Sequence, residues 1–237
     1  MQSYTRRQLK EDKFAKGTQE AVHWATEHRQ KVIWGIGLVV VAALGIFGYL
    51  TWNSRQAEQA NVALSKALQT LSAPLRPAGS PADPTSKSFT SVAERSKEAE
   101  KELKAIADQY PHTKPGKIAK YLAGTAAAQA GDNATAEQLL KSAADDRDKN
   151  IAALAKLALA NLYRGMNRQS DAARIYKDLI DHPTDMVSKG RAQLELAEMY
   201  QATDPKEAAT IYQQIQKENP ASQASQIAAS KLAATAK

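Results

Sequence analysis

An uninterrupted apolar stretch stands out near the start of the chain. Residues 32–52 carry no charged side chain, and the next charge is Arg55. A helix rises about 1.5 Å per residue, so this stretch would be about 31 Å long, close to the thickness of a bilayer's hydrocarbon core. Secretory signal sequences are shorter and end at a small-x-small cleavage site, which residues 51–55 do not offer. The pattern therefore predicts an uncleaved transmembrane helix over residues 32–52.

Beyond this stretch, apolar residues recur at helical spacing. They fall every three or four positions from Ala57 to Leu71, which predicts a helical extension over residues 53–72. Four prolines follow within residues 73–84. Because proline lacks a backbone N–H and restricts the residue before it, residues 73–88 are predicted to form a loop. A helical pattern returns from Phe89 and stops at Tyr110.

The second half of the chain contains an internal repeat. Leu159-Ala-Asn-Leu-Tyr163 matches Leu196-Ala-Glu-Met-Tyr200 at an offset of 37, and Asp171-Ala-Ala-Arg-Ile-Tyr176 matches Glu207-Ala-Ala-Thr-Ile-Tyr212 at an offset of 36. A weaker copy places Gly124 and Ala136 at the corresponding positions. Each unit has the pattern of a helix, a short polar turn and a second helix, with small residues where the two helices must approach each other.

This pattern resembles the tetratricopeptide repeat, a unit of about 34 residues with small residues at two helix crossings and a closing proline. Pro183 and Pro220 close two of the units. The fold class predicted is all-α: one N-terminal transmembrane helix followed by a tetratricopeptide-like solenoid over residues 89–237. Residues 221–236 are predicted to form a capping helix on the last repeat.

Stacked helix pairs form a concave surface that commonly binds proteins. The first-helix residues expected to face it are Ile118, Tyr121, Thr125, Leu154, Leu157, Asn161, Arg164, Arg191, Leu194 and Glu198. These side chains are the predicted protein-binding groove. An alternative is that the chain's own helices cover part of this surface. The sequence does not decide between the two.

Charge gives the apolar stretch a direction. Four basic residues stand in the twenty positions before it (Lys13, Lys16, Arg29 and Lys31) and two in the twenty after it (Arg55 and Lys66). The bias predicts a cytoplasmic N-terminus and an exported C-terminal domain. Residues 1–31 form a basic segment that can fold as an amphipathic helix. The absence of cysteine agrees with export. The net charge of +7 is spread along the chain rather than clustered, so nucleic-acid binding has little support.

No motif for catalysis, cofactor binding or metal binding is found, and no small-molecule substrate is expected. The acidic run at residues 145–148 lacks the glycine and distal glutamate of a calcium loop, so it is interpreted as a solvated turn. The alternating charges from Glu94 to Lys104 are interpreted as an exposed helix face with i, i+4 pairs. The chain is therefore predicted not to be an enzyme.

The junction Gly48-Tyr-Leu-Thr-Trp52-Asn53-Ser54-Arg55-Gln56, together with the degenerate repeats, resembles the YfgM-like family of ancillary subunits of the SecYEG translocon. The resemblance implies a single-pass protein of the bacterial inner membrane. Its periplasmic repeats would associate with the translocon and a membrane-bound periplasmic chaperone, assisting secreted or membrane proteins. The alternative is a general envelope scaffold for outer-membrane or cell-wall assembly.

Overall fold

The structure, a computed structural model, describes residues 28–77, 79–80 and 87–235. The described residues form nine α-helices and no strand, which confirms the predicted all-α class. In chain order the helices are α1 (Arg29–Leu71), α2 (Val92–Gln109), α3 (Lys114–Ala130), α4 (Asn133–Ala144), α5 (Lys149–Gly165), α6 (Gln169–Asp181), α7 (Lys189–Gln201), α8 (Pro205–Glu218) and α9 (Gln223–Thr235). The predicted amphipathic segment spans residues 1–31, and its residues 1–27 lie outside the part of the chain that the structure describes.

Helix α1 contains two stretches of different character. The chain divides after Arg55 into two compact units. In the first unit, every described side chain from Ile33 to Trp52 is exposed. This part of α1 is long and apolar enough to cross a membrane, by length and composition. In the second unit, Ala60 and Ala67 of the same helix are fully buried.

The second unit is built from helices that pack on their sequence neighbours. Each helix from α2 to α9 contacts the next, and α3 and α7 also reach α5 and α9 respectively. The pairs α3–α4, α5–α6 and α7–α8 correspond to the three units of the sequence repeat. Their second helices place Ala136, Ala172 and Ala208 in fully buried positions, because only a small side chain lets the paired backbones approach this closely.

The packing also shows a repeat element that the sequence comparison missed. Ala99 and Leu103 of α2 lie 37 residues before Ala136 and Leu140, and all four are buried. Helix α2 therefore occupies the position of a second repeat helix. The buried residues Ala60, Leu64 and Ala67 of α1 join it in one hydrophobic cluster that continues into α3. The larger cluster spans α3 to α9.

Two of the three turns between paired helices contain a residue in the left-handed conformation. Gly131 ends α3 at φ 88° and supplies this conformation at no steric cost. In the next unit the sequence has Gly165 two positions early, and the structure shows that it is still helical. Asn167, 36 residues after Gly131, takes the left-handed conformation instead at φ 59°. Asparagine is among the few other residues that tolerate it.

Contacts at both ends of the proline-rich insertion tie it to the helices around it. Leu75 and Phe89 form an isolated parallel β-bridge. Lys87 donates from Nζ to Thr70 Oγ1 at 3.1 Å and pairs with Glu102 Oε1 at 2.5 Å. The expectation of i, i+4 ion pairs within α2 was wrong for the described residues, where no two side chains of this helix pair with each other. Glu102, which has no basic residue three or four positions away, pairs with Lys87 of the insertion.

Candidate protein-binding groove

The structure distributes the ten predicted groove residues over two depressions. Six line a groove between α3 and α5, which we call the α3–α5 groove: Tyr121, Thr125, Leu154, Leu157, Asn161 and Arg191. Arg191 also lines a second depression, the α7–α9 hollow, with Leu194 and Glu198. The other two lie elsewhere. Ile118 packs against the buried cluster of α1, α2 and α3, and Arg164 pairs with Glu195.

The α3–α5 groove has an apolar floor. Its volume is about 510 Å³. The aliphatic lining comes mainly from α5, where Leu154, Leu157, Ala158 and Leu162 lie three or four residues apart and so share one helix face. Met166 closes one end. The groove can therefore accept aliphatic side chains of a partner.

Sequence reasoning found only part of this lining. The residues it missed are Ala128, Gln129, Asn133, Leu140, Ala158, Leu162, Gly165 and Met166. Several lie one helical turn from a predicted position, as Gln129 does from Thr125 and Ala158 from Leu154. Extending each predicted face by one turn would have found them. Asn133 and Leu140 belong to α4, and no periodicity within a first helix points to them.

Asn161 is held in place by its own repeat. The Tyr176 hydroxyl donates to Asn161 Oδ1 at 2.6 Å. Burial raises the pKa of Tyr176 to about 12, so this hydroxyl keeps its proton and its donor role at neutral pH. Burial also raises the pKa of Tyr121, although the nearby Arg191 opposes that effect. Both phenols are therefore neutral, and of the two Tyr121 lines the groove.

The two arginines expected at the groove share one carboxylate. Arg164 Nη1 lies 3.4 Å from Glu195 Oε2, and Arg191 Nη2 lies 3.4 Å from Glu195 Oε1. Glu195 is mostly buried, whereas Arg191 remains largely exposed. Two guanidinium groups against one carboxylate leave one net positive charge beside the groove.

The chain's own last helix borders the α7–α9 hollow. This depression measures about 900 Å³ and is lined by α9 through Ala224 and Ile227. Lys231 of α9 pairs with Glu198 of α7 at 3.0 Å. Glu198, a predicted partner contact, is therefore engaged by the capping helix. Of the two depressions, the α3–α5 groove is the one that α9 does not line.

A charged cluster joins the first two helix pairs. Glu137 of α4 pairs with Lys141 at 2.7 Å and with Arg168 at 2.9 Å, and it accepts a hydrogen bond from the Tyr163 hydroxyl at 2.9 Å. The Arg168 guanidinium also lies 4.0 Å from the centre of the Tyr163 ring. Lys141, followed by Tyr163 and Arg168, lowers the pKa of Glu137 to about 2.

The acidic run at residues 145–148 is used structurally. Asp146 pairs with Lys117 at 2.8 Å and accepts the backbone N–H of Asp148. Asp148 in turn caps the start of α5 by accepting from the N–H groups of Asn150 and Ile151. Within the described part of the chain, no group of three acidic or histidine side chains is arranged to hold a metal ion.

Comparison with known proteins gives one match. A family model described as a tetratricopeptide repeat-like domain matches residues 22–174. The match takes in α1 to α5 and the first part of α6, so it includes both the apolar stretch and most of the α3–α5 groove. Neither the curated proteins nor the solved structures contain a significant match.

Proposed function

Because the chain belongs to the tetratricopeptide repeat-like domain family, we propose that it is a membrane-anchored module that binds a protein partner in the α3–α5 groove. Domains of this family are typically scaffolds for protein–protein interaction rather than catalysts. The observation that carries the proposal is the apolar floor of the groove, which the chain's own capping helix does not line.

The exposed apolar half of α1 supports the anchor. From Ile33 to Trp52 its large side chains are at least half exposed in the chain's own structure, and Leu38, Leu44 and Phe47 are more than 60% exposed. So much apolar surface on consecutive turns is costly in water and is typical of a helix that lies in lipid. The basic residues before this stretch support a cytoplasmic N-terminus and a periplasmic repeat unit in a bacterial inner membrane.

The partners we propose are the Sec translocon and a membrane-bound periplasmic chaperone, with secreted or membrane proteins as the clients. The support is the resemblance of the junction at residues 48–56 and of the repeats to the YfgM-like family. A tetratricopeptide-like groove in a chain that also carries a membrane anchor is suited to binding other proteins as they emerge from the translocon. The chain supplies no charge cluster or aromatic stripe that favours a nucleic acid instead.

Site-specific photocrosslinking in intact membranes tests this proposal. Gly165 lines the groove, is exposed, and has open space around the position of an added Cβ, so a photoreactive residue fits there without a clash. The matched control is Arg174, an exposed position of α6 that lines neither depression. We expect translocon or chaperone adducts from position 165 and none from position 174.

The other outcomes separate the alternatives. Adducts from position 165 with outer-membrane or cell-wall assembly proteins would replace the translocon proposal with the envelope-scaffold hypothesis. Equal adducts from both positions, or none from position 165 in a folded protein, would contradict the groove as the binding surface.

A further inference from the structure

The two depressions of the repeat unit differ in charge. Among its lining residues, the α3–α5 groove has no acidic side chain, and its one charged side chain is Arg191. The α7–α9 hollow is lined by three glutamates, Glu195, Glu198 and Glu218, against Lys189 and Arg191. Each of these glutamates is already paired, Glu218 with Lys189, Glu198 with Lys231 of α9, and Glu195 with Arg164 and Arg191. The charge left unneutralised is therefore positive, and a carboxylate partner group is favoured on the groove side of Arg191.

Arg191 keeps hydrogen-bonding capacity for a partner. Its guanidinium has five N–H donors, and its one ion pair among the described residues is the 3.4 Å contact with Glu195. Glu195 is shared with Arg164 at the same distance, so its charge does not neutralise both arginines.

Asn161 adds a neutral donor to the same groove. Its Oδ1 accepts the Tyr176 hydroxyl, which fixes the orientation of the carboxamide. Its Nδ2 has no hydrogen-bond partner among the described residues. Tyr121, a neutral phenol, lines the same groove. Arg191 and the Asn161 carboxamide thus both offer N–H donors, and donors match carboxylate and carbonyl oxygens.

We infer that the α3–α5 groove binds an internal peptide segment in which one acidic side chain is flanked by aliphatic side chains. The aliphatic groups contact the floor formed by Leu154, Leu157 and Leu162, and the carboxylate pairs with Arg191. A single unneutralised charge suits a single side-chain carboxylate. A C-terminal segment with an acidic last residue would bring two carboxylates, one from the side chain and one from the chain terminus. This inference rests on the proposed function, since it names the chemistry of the partner that the groove takes.

Three end-blocked, fluorescein-labelled octapeptides test the preference by fluorescence anisotropy with the full chain in detergent. One carries three leucines around an aspartate, the second three leucines around a lysine, and the third three serines around an aspartate. We expect the leucine–aspartate peptide to bind at least about tenfold more tightly than either of the others, because each of those lacks one of the two matching contacts.

Variants localise the binding. Arg191→Gln should weaken binding of the leucine–aspartate peptide about threefold to fivefold, in the upper range of one partly exposed ion pair, while Arg174→Gln removes an equivalent charge outside the groove and should change nothing. Gly165→Trp fills the groove mouth at a position with open space and should abolish binding.

Three results would overturn the inference. Binding of the lysine peptide that is as tight as that of the leucine–aspartate peptide, and that is lost in Gly165→Trp, would show that the groove binds peptides without the inferred preference for an acidic side chain. Binding that Arg191→Gln leaves unchanged removes the ion pair. If no peptide binds although position 165 still crosslinks to the translocon in membranes, the partner chemistry is wrong and the proposed function stands.

Discussion

The two halves of helix α1 differ in which side chains are buried. In residues 33–52 the large side chains Trp34, Leu38 and Phe47 are all exposed. Past Arg55, within the same helix, burial recurs every three or four residues, at Ala60, Leu64, Ala67 and Thr70, while Val62 between them is exposed. Hydrophobicity alone therefore does not say which part of a helix packs inside the protein. The period of the pattern does.

The difference follows from what each half packs against. An all-round apolar surface suits lipid, which has no preferred side, whereas an apolar stripe every three or four residues suits one protein neighbour. The alanines of the second half join Ala99 and Leu103 in one buried cluster, where a short side chain allows close helix contact. One continuous helix thus carries two different apolar patterns.

The largest effect is expected from charging the apolar half. In the double variant Val41→Arg and Leu44→Arg, each arginine at the centre of a spanning helix costs about 3 kcal/mol of insertion free energy. The protein should leave the membrane pellet after alkaline carbonate extraction. The control places arginines at Ser65 and Gln69, exposed positions of the second half, and should stay in the pellet. Membrane retention of the Val41/Leu44 variant would contradict an anchor in this stretch.

The complementary change affects the packed half. Ala67 is fully buried, so Ala67→Arg forces a charge or a displaced helix into the cluster and should lower the free energy of unfolding by several kcal/mol. Denaturation in detergent, followed by circular dichroism, measures the loss, and carbonate extraction should still show a membrane protein. Gln69→Arg, two residues away and exposed, serves as the control. An unchanged unfolding midpoint for Ala67→Arg would mean that this half of α1 is not part of the repeat core.

Much of this contrast was predictable from the sequence, and the exceptions have physical causes. The spacing of apolar residues located the helices and the helix crossings at Ala172 and Ala208. A buried helix face needs small or apolar residues every three or four positions, and this spacing can be read directly from the sequence. It missed α2 as a repeat helix, since the insertion after Leu71 separates α2 from its partner and hides the offset. It placed Arg164 at the binding surface, but ion-pair partners such as Glu195 depend on side-chain geometry that spacing does not encode.

Overpacking a helix crossing should have an intermediate effect. Ala172→Leu or Ala208→Leu adds a branched side chain where the native residue is fully buried, at a cost of about 1 to 3 kcal/mol of unfolding free energy. Thermal unfolding of the full chain measures it. Ala134→Leu, at an exposed position of α4, is the matched control and should leave the midpoint nearly unchanged. Equal effects at buried and exposed positions would contradict the repeat register.

The smallest effect concerns the ionic cluster of Glu137. Its pKa falls from an ordinary 4.5 to about 2 in the folded chain. Folding is therefore stabilised above pH 4.5 and loses this contribution as the pH falls toward 2. Glu137→Gln should cost about 1 kcal/mol at pH 7, a value reduced for solvent screening of a partly exposed pair.

The gap in melting temperature between Glu137→Gln and the parent chain should close progressively between pH 4.5 and 2, because the parent carboxylate becomes protonated over that range. Glu100→Gln is the control, since Glu100 forms no ion pair among the described residues, and it should show no such gap. A Glu137→Gln gap that is independent of pH would assign the role of Glu137 to packing or neutral hydrogen bonds. The ion pair with Arg168 would then not be what joins the first two helix pairs.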